Sequence, residues 1–206
     1  SRIPLCNTKA WTFANHAAFP YTTNNLGGAP IIAAKQTGDL LAFNWHPYSG
    51  YERTILCDLW DHSATAWQGW NACTATDASA RCDAACGDSL WRPLLLDNGD
   101  IHVIYRRNDD KIGHYKASDP YSSWSSVSAD VGSTSAATKI TASTDGTDIW
   151  VFYDKGDDHI YYRKWTSGDG WGAETDWQNR SANGLQGAIS AYQAAGNDEI
   201  GVVWCE

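Results

Sequence analysis

The sequence predicts an all-β fold: a β-propeller of about four four-stranded blades. Three observations predict it. A turn followed by a β-branched and aromatic strand recurs four times. Each recurrence sits in a unit of about fifty residues holding four short apolar stretches, the period and strand count of a propeller blade. Helical periodicity and helix caps are almost absent along the chain.

The second strand of each unit carries the repeat most clearly. Gly38-Asp39 leads into LLAFNW, Gly99-Asp100 into IHVIYR, Gly146-Thr147-Asp148 into IWVFYD, and Gly196-Asn197-Asp198-Glu199 into IGVVWC. From glycine to glycine the offsets are 61, 47 and 50 residues. An apolar stretch precedes each turn, at 29–34, 91–96, 137–142 and 185–192. These are the expected first strands. Third strands follow at 53–60 (RTILCDLW), 109–117 (DDKIGHYKA) and 157–165 (DDHIYYRKW), the last two matching well and the first loosely. Trp67, Trp124 and Trp171 open the fourth segments. Residues 72–88 read as an inserted cysteine-rich loop, which accounts for the long first offset. The last unit stops after its second strand. Arg2-Ile3-Pro4-Leu5 and Trp11-Thr12-Phe13 could supply the missing outer strands, closing the ring with Cys6 near Cys205. A piece of a larger propeller and a two-sheet sandwich are the alternatives.

The 206 residues suit one domain. Charged residues make up 19% of the chain, and 15 Lys plus Arg against 24 Asp plus Glu give a net charge of −9. That balance argues against a general nucleic-acid binder, which must neutralise phosphates, and against electrostatic docking on anionic membranes. No apolar run approaches the ~18 residues of a spanning helix. No leader is visible, so a mature or excised sequence is expected. The aromatic balance is more informative: 12 Trp and 10 Tyr stand against 4 Phe and no Met. Trp and Tyr join an apolar ring to a polar handle, which suits half-wet surfaces.

Six cysteines, Cys6, Cys57, Cys73, Cys82, Cys86 and Cys205, point first to disulfides in an oxidising compartment, hence to a secreted or cell-surface protein. The Cys6–Cys205 pair is the one the closed ring proposes; the other pairings stay open. Zinc is the rival, since Cys82 and Cys86 lie four apart, but no second pair with matching spacing follows. Acidic turns offer oxygen ligands, yet no EF-hand loop is present. No metal or cofactor is assigned.

The run DGTDIWVFYDKGDDHIYYRKWTSGDGWGAE (145–174) resembles a blade of sialidase-like propellers with BNR/Asp-box repeats. Residues 29–43 are similar to their early blade strands and 189–206 to a later one. Fucose-lectin-type propellers have similar blades: a strand, an acidic turn, an aromatic strand, then Gly-Trp. The resemblance covers most of 29–206 and implies a propeller with a carbohydrate theme. Departures from the Asp-box pattern Ser-x-Asp-x-Gly-x-x-Trp are plain. Ser143, Asp145 and Trp150 fit, but Thr147 replaces the glycine and the segment lies at the wrong turn of the blade. Ser167-Gly168-Asp169-Gly170-Trp171 lies at the right turn with the wrong spacing. Sialidase catalysis is therefore not implied.

Three sets of residues could carry function. Trp45-His46-Pro47-Tyr48, with Arg53 close behind, follows the second strand of the first unit at a turn. His46 as base, Tyr48 as proton donor and an arginine fork for a carboxylate suit β-elimination of a uronic-acid polysaccharide. Inter-blade packing of the aromatic residues is the plainer reading. Tyr105-Arg106-Arg107 is the equivalent place in the second unit and Tyr153-Asp154 in the third, so Trp45, Arg106 and Asp154 should share one face of the ring. Solvated turns explain these equally, with exposed ion pairs worth little. Third, Trp165, Trp171, Trp60, Trp70 and Trp177 lie at strand ends or turns and could stack on sugar faces; packing between blades should absorb half or more of the tryptophans. A hydrolase would need two facing carboxylates, and the acids here mostly sit in turns that favour Asp locally. Asn179-Arg180-Ser181 is a glycosylation sequon should the source be eukaryotic.

The leading expectation is a secreted carbohydrate-binding module that uses Trp/Tyr stacking and Arg/Asp hydrogen bonds. A polysaccharide lyase or glycoside hydrolase is the alternative, and a structural surface or fibre protein the third. Fold alone chooses among none of these.

Overall fold

The computed structural model describes residues 31–34, 40–47, 53–61, 66–67, 73–74, 91–107, 109–128, 130–132, 137, 139–179, 189–193 and 199–204. They form four antiparallel sheets in chain order and contain no helix. The first sheet runs β1 (Ile31–Ala34), β2 (Leu40–Pro47), β3 (Arg53–Asp61) and β4 (Ala66–Trp67), with β5 (Cys73–Thr74) also paired to β3. The second is β6 (Trp91–Leu95), β7 (Ile101–Arg106), β8 (Ile112–Ala117) and β9 (Ser125–Ser128). The third is β10 (Lys139–Thr144), β11 (Ile149–Asp154), β12 (His159–Thr166) and β13 (Gly170–Trp171), with β14 (Thr175–Asn179) paired to β12. The fourth holds β15 (Ile189–Gln193) and β16 (Ile200–Trp204).

Each sheet is a meander of hairpins, and the first strands β1, β6, β10 and β15 neighbour one another from sheet to sheet. That is a β-propeller, with the sheets as successive blades rather than the two faces of a sandwich.

The alternation along the second strands explains the stacking. Ile101, Val103 and Tyr105 of β7 pack towards Leu41, Phe43 and Ile55 of the first blade. Ile104, on the other face of β7, packs towards Ile140, Val151 and Tyr153 of the third. Phe152 and Trp150 of β11 then face Ile189, Ile200 and Trp204 of the fourth. A strand with a blade on both sides must bury both faces, and all six residues of β7 are buried. Polar ties add register between blades: Asp97 N–H donates to Gly146 O (2.7 Å) and Ala191 N–H to Thr141 Oγ1 (3.0 Å).

The repeats seen in sequence are structural repeats. Trp45, Arg106 and Asp154 take the same register position, opposite Ile55, Ile112 and Ile160. The Asp-Asp turns before Ile112 and Ile160 share a backbone shape, with Asp110 at φ 64° and Asp158 at φ 63°. Aspartate tolerates that left-handed conformation better than most residues. The Ser143–Trp150 segment spans the β10–β11 hairpin, where those two residues pair, and Gly170-Trp171 follows the β12 turn.

Several expectations need adjusting. Trp45 and His46 do not follow the second strand at a turn; they are inside it, paired with Ile55 and Thr54, because β3 continues to Arg53 opposite Pro47. Trp124 lies just before β9 rather than opening it, and in the third blade the outer-strand role is divided between β13 and β14. Part of the inserted loop, Cys73-Thr74, joins the first sheet as β5. The N-terminal segment with Arg2-Ile3-Pro4 and Trp11, and Cys6, Cys82, Cys86, Cys205 and Tyr48, lie outside the described residues.

Candidate functional site

The third and fourth blades do not meet flush. A cavity of about 250 Å³ opens between them, lined by Trp150, Phe152, Tyr162, Trp177 and Ile200. Four aromatic side chains from three strands of one blade converge there. Register explains how. Phe152 of β11 lies opposite Tyr162 of β12, and Trp150 opposite Lys164, so all four project to the side facing the fourth blade or its rim. Phe152 and Tyr162 rings lie 5.8 Å apart and tilted by 38°.

Trp177 arrives by a different device. In the β12–β14 ladder Ile160 pairs with Gln178 and Tyr161 with Asp176, so the register shifts and Trp177 has no opposite number. An extra residue of this kind re-aims a side chain that strict alternation would place elsewhere. The indole ends 5.5 Å from Phe152 and 5.9 Å from Trp204, nearly perpendicular to the latter at 78°. Trp177 remains 42% exposed, so a large apolar ring faces solvent at the mouth. Blade two has a comparable shift in β9, but its extra residue is Val127, which packs into the core.

The rim is polar. Lys164 Nζ sits 4.8 Å over the Trp150 ring and pairs with Asp148 at 2.6 Å. Asp148 is held in turn: its N–H donates to Asp145 Oδ1 (2.8 Å), which also accepts from Thr147 N–H (2.9 Å). Those donors hold the Asp145 carboxyl below its ordinary range, although partial desolvation opposes them as the largest single influence. An apolar floor with a few fixed charges at the edge is the usual make-up of a small-ligand site.

The residues singled out in the sequence are mostly elsewhere. Tyr105 and Tyr153 are 1% exposed and belong to inter-blade cores, so neither offers a ring to a ligand. Arg106 is buried and pairs with Asp110 at 2.8 Å. Arg107 reaches Asp109 at 3.1 Å. Asp154 is buried and accepts the Gly156 N–H within its own turn. These positions share a column, and the column is built of turn contacts. Trp165 is buried and packs on both His102 and His114, and Trp171 is half-buried and packs on His114, at the junction of blades two and three. His46 and Arg53 sit on the β2–β3 hairpin backbone, opposite Thr54 and Pro47. Asn179 ends β14, opposite His159, and is exposed.

Carboxylates of the third blade are engaged as well. Glu174 accepts from Tyr153 and pairs with Lys155, whose Nζ lies 3.8 Å over the Tyr161 ring. Tyr161 donates to Asp157 at 2.7 Å, which pushes its own ionisation up beyond the ordinary phenol range. Asp176 meets His159 Nδ1 at 2.8 Å and raises that imidazole's pKa. No group of three or more His, Cys, Asp or Glu that could hold a metal occurs among the described residues.

No family model matches the chain, and no curated protein matches it. Solved structures do. The fucose-specific lectin from Aleuria aurantia superposes with a TM-score of 0.56 at 16% identity, over 85% of this chain and 52% of that one. AofleA from Arthrobotrys oligospora, crystallised as a triple arginine-to-alanine mutant, gives 0.56 at 15% identity, over 84% and 49%. The NanB sialidase from Streptococcus pneumoniae gives 0.51 at 16%, over 85% and 26%. The chain thus spans about half the length of the lectins and about a quarter of the sialidase. At these identities the likeness establishes the fold alone, a β-propeller.

Proposed function

We propose that this chain is a carbohydrate-binding β-propeller domain and that a sugar ring sits in the aromatic pocket between its third and fourth blades. The observation that carries the reading is Trp177, an exposed indole turned by a register shift onto a pocket already lined by Trp150, Phe152 and Tyr162. Aromatic faces stack on the C–H faces of sugars, and Lys164 and Asp148 at the rim can bond hydroxyls. The fold shared with fucose-specific lectins supports a glycan as the ligand class. The Ser143–Trp150 hairpin is read as a degenerate Asp-box-type turn of the sialidase-like propellers, with Asp145 still capping its own backbone. Six cysteines favour a secreted or cell-surface setting.

Among the described residues, the carboxylates Asp154, Glu174, Asp157 and Asp176 are each tied to a neighbouring group. The lyase reading needs His46 and Tyr48, whose side chains are outside the described set.

The test is an immobilised panel of fucosylated, sialylated, neutral and uronic-acid glycans, probed with the wild type and Trp177→Ala. Retention on a subset of glycans that Trp177→Ala weakens about tenfold or more, as expected for lost stacking, supports the reading. Unsaturated uronic ends or new reducing ends in the eluate would establish an enzyme instead. Retention that is unchanged in Trp177→Ala would move the site away from this pocket.

A further inference from the structure

At the junction of blades two and three, where the glycan pocket has its counterpart, the space is filled by two histidines and two tryptophans. His102 on β7 and His114 on β8 are both fully buried. His102 Nδ1 lies 2.7 Å from His114 Nε2. Trp171 Nε1, from the next blade, lies 3.2 Å from His114 Nδ1. Trp165, also from the next blade, covers both imidazoles at 4.8 Å and 5.5 Å.

Only one proton arrangement satisfies this chain. An indole N–H can only donate, so His114 Nδ1 must accept and carry no proton. Neutral His114 then has its proton on Nε2 and donates it to His102 Nδ1. Neutral His102 keeps its own proton on Nε2, a buried atom with no hydrogen-bond partner. A further proton has nowhere to go without loss. On His114 Nδ1 it faces the Trp171 N–H. On His102 Nδ1 it faces the His114 N–H. Either choice sets two donors against each other and leaves a cation in a nearly dry core.

We propose that the His102–His114 pair is an acid-sensitive latch between the second and third blades, closed in one neutral tautomeric arrangement and broken by a single added proton. Its surroundings give that proton little compensation. Asp100, at the head of β7, favours the charged form, and Lys116, opposite His102 on β8, disfavours it. Blade three faces the pair with Trp165 and Trp171, and β6 sets Leu94 opposite His102; none of these titrates. Burial therefore dominates, lowering His102 to about 4 and His114 well below its ordinary value.

The sign follows from which state takes the proton. In the unfolded chain both imidazoles protonate below about pH 6.5, and in the fold they resist. The latch's contribution is complete above that pH and is lost as pH falls from about 6.5 through about 4. Each histidine lowers the folding equilibrium constant by up to about tenfold per pH unit in that window, and the pair by up to about a hundredfold. His159, half-buried and with its pKa raised by Asp176, works in the opposite direction.

The experiment is urea unfolding of the full chain, followed by tryptophan fluorescence from about pH 7.5 to about pH 4.5, for the wild type and His114→Gln. Glutamine can accept from Trp171 and donate to His102 without titrating. Subtracting the two curves removes His159 and the carboxylates. The expected result is a shallower fall for the variant, by up to about tenfold in the equilibrium constant per pH unit. Equal slopes overturn the latch. Should the variant not fold, nitrogen-15 spectra of the wild-type imidazoles decide: His114 protonated on Nε2 alone and both rings neutral at pH 6 support it, whereas either ring titrating near its ordinary value in the folded protein overturns it.

Discussion

Single residues show where chemistry was readable and where packing took it over. Tyr105, Arg106, Tyr153 and Asp154 look in sequence like a polar-aromatic column available to a ligand. In the fold they sit at the closed ends of hairpins flanked by blades on both sides, and each is buried. Burial on two faces is a property of the stack, not of any one motif. Glycine at 113 shows the same constraint in a form that can be measured. A Cβ there would fall 2.5 Å from the ring of buried Tyr105. Gly113→Ala should therefore cost about 1–3 kcal/mol, the range for overpacking a filled core, visible as a lowered urea midpoint. Gly201→Ala makes a similar approach to Tyr192, but that ring is 53% exposed and can swing aside, so a markedly smaller loss is expected in the same assay.

At the scale of elements, the second strands, and in the first three blades the third strands, were legible because turn residues and alternating apolar runs act locally. The matching Asp110 and Asp158 turns confirm that similar sequence made similar backbone. Outer strands were legible only in part. The residues of β14 (TDWQN) are all exposed, so no apolar pattern marks them, and the shift that frees Trp177 depends on pairing with β12. Trp177 could be named as a platform candidate from its type; its partners Phe152 and Tyr162 could not, because their convergence requires the register. Pairing also bears on the cysteines. The β3–β5 ladder sets Cys57 opposite Cys73. Directly opposite residues in antiparallel strands have Cα atoms about 4.5–5.5 Å apart, within the span a disulfide needs. Peptide mapping under non-reducing conditions is expected to recover segments containing Cys57 and Cys73 joined. Recovery of either alkylated as a free thiol from native protein would contradict that assignment.

For the whole molecule, successive blades share cores made from alternate faces of one strand, so neighbouring junctions have matched positions with different contents. His102, Ile104 and His114 occupy in blade two the register positions that Trp150, Phe152 and Tyr162 occupy in blade three. One junction is closed by Trp165 and Trp171; the next is open and aromatic. The same scaffold thus holds a packed, acid-sensitive joint beside a cavity suited to a sugar. Because the two sites lie on opposite faces of blade three, Trp177→Ala should leave the pH dependence of urea unfolding unchanged while weakening glycan retention. A shift in both would show that the junctions are coupled.

The central claim is that carbohydrate occupies the pocket between the third and fourth blades. Its most direct test is titration of the protein with the best-retained glycan while the indole N–H signals of Trp150 and Trp177 are followed by NMR, with Trp165 and Trp171 as internal references. Saturable shifts confined to Trp150 and Trp177, absent in Trp177→Ala, are the predicted result. Binding that moves other signals and leaves these two in place would contradict the account.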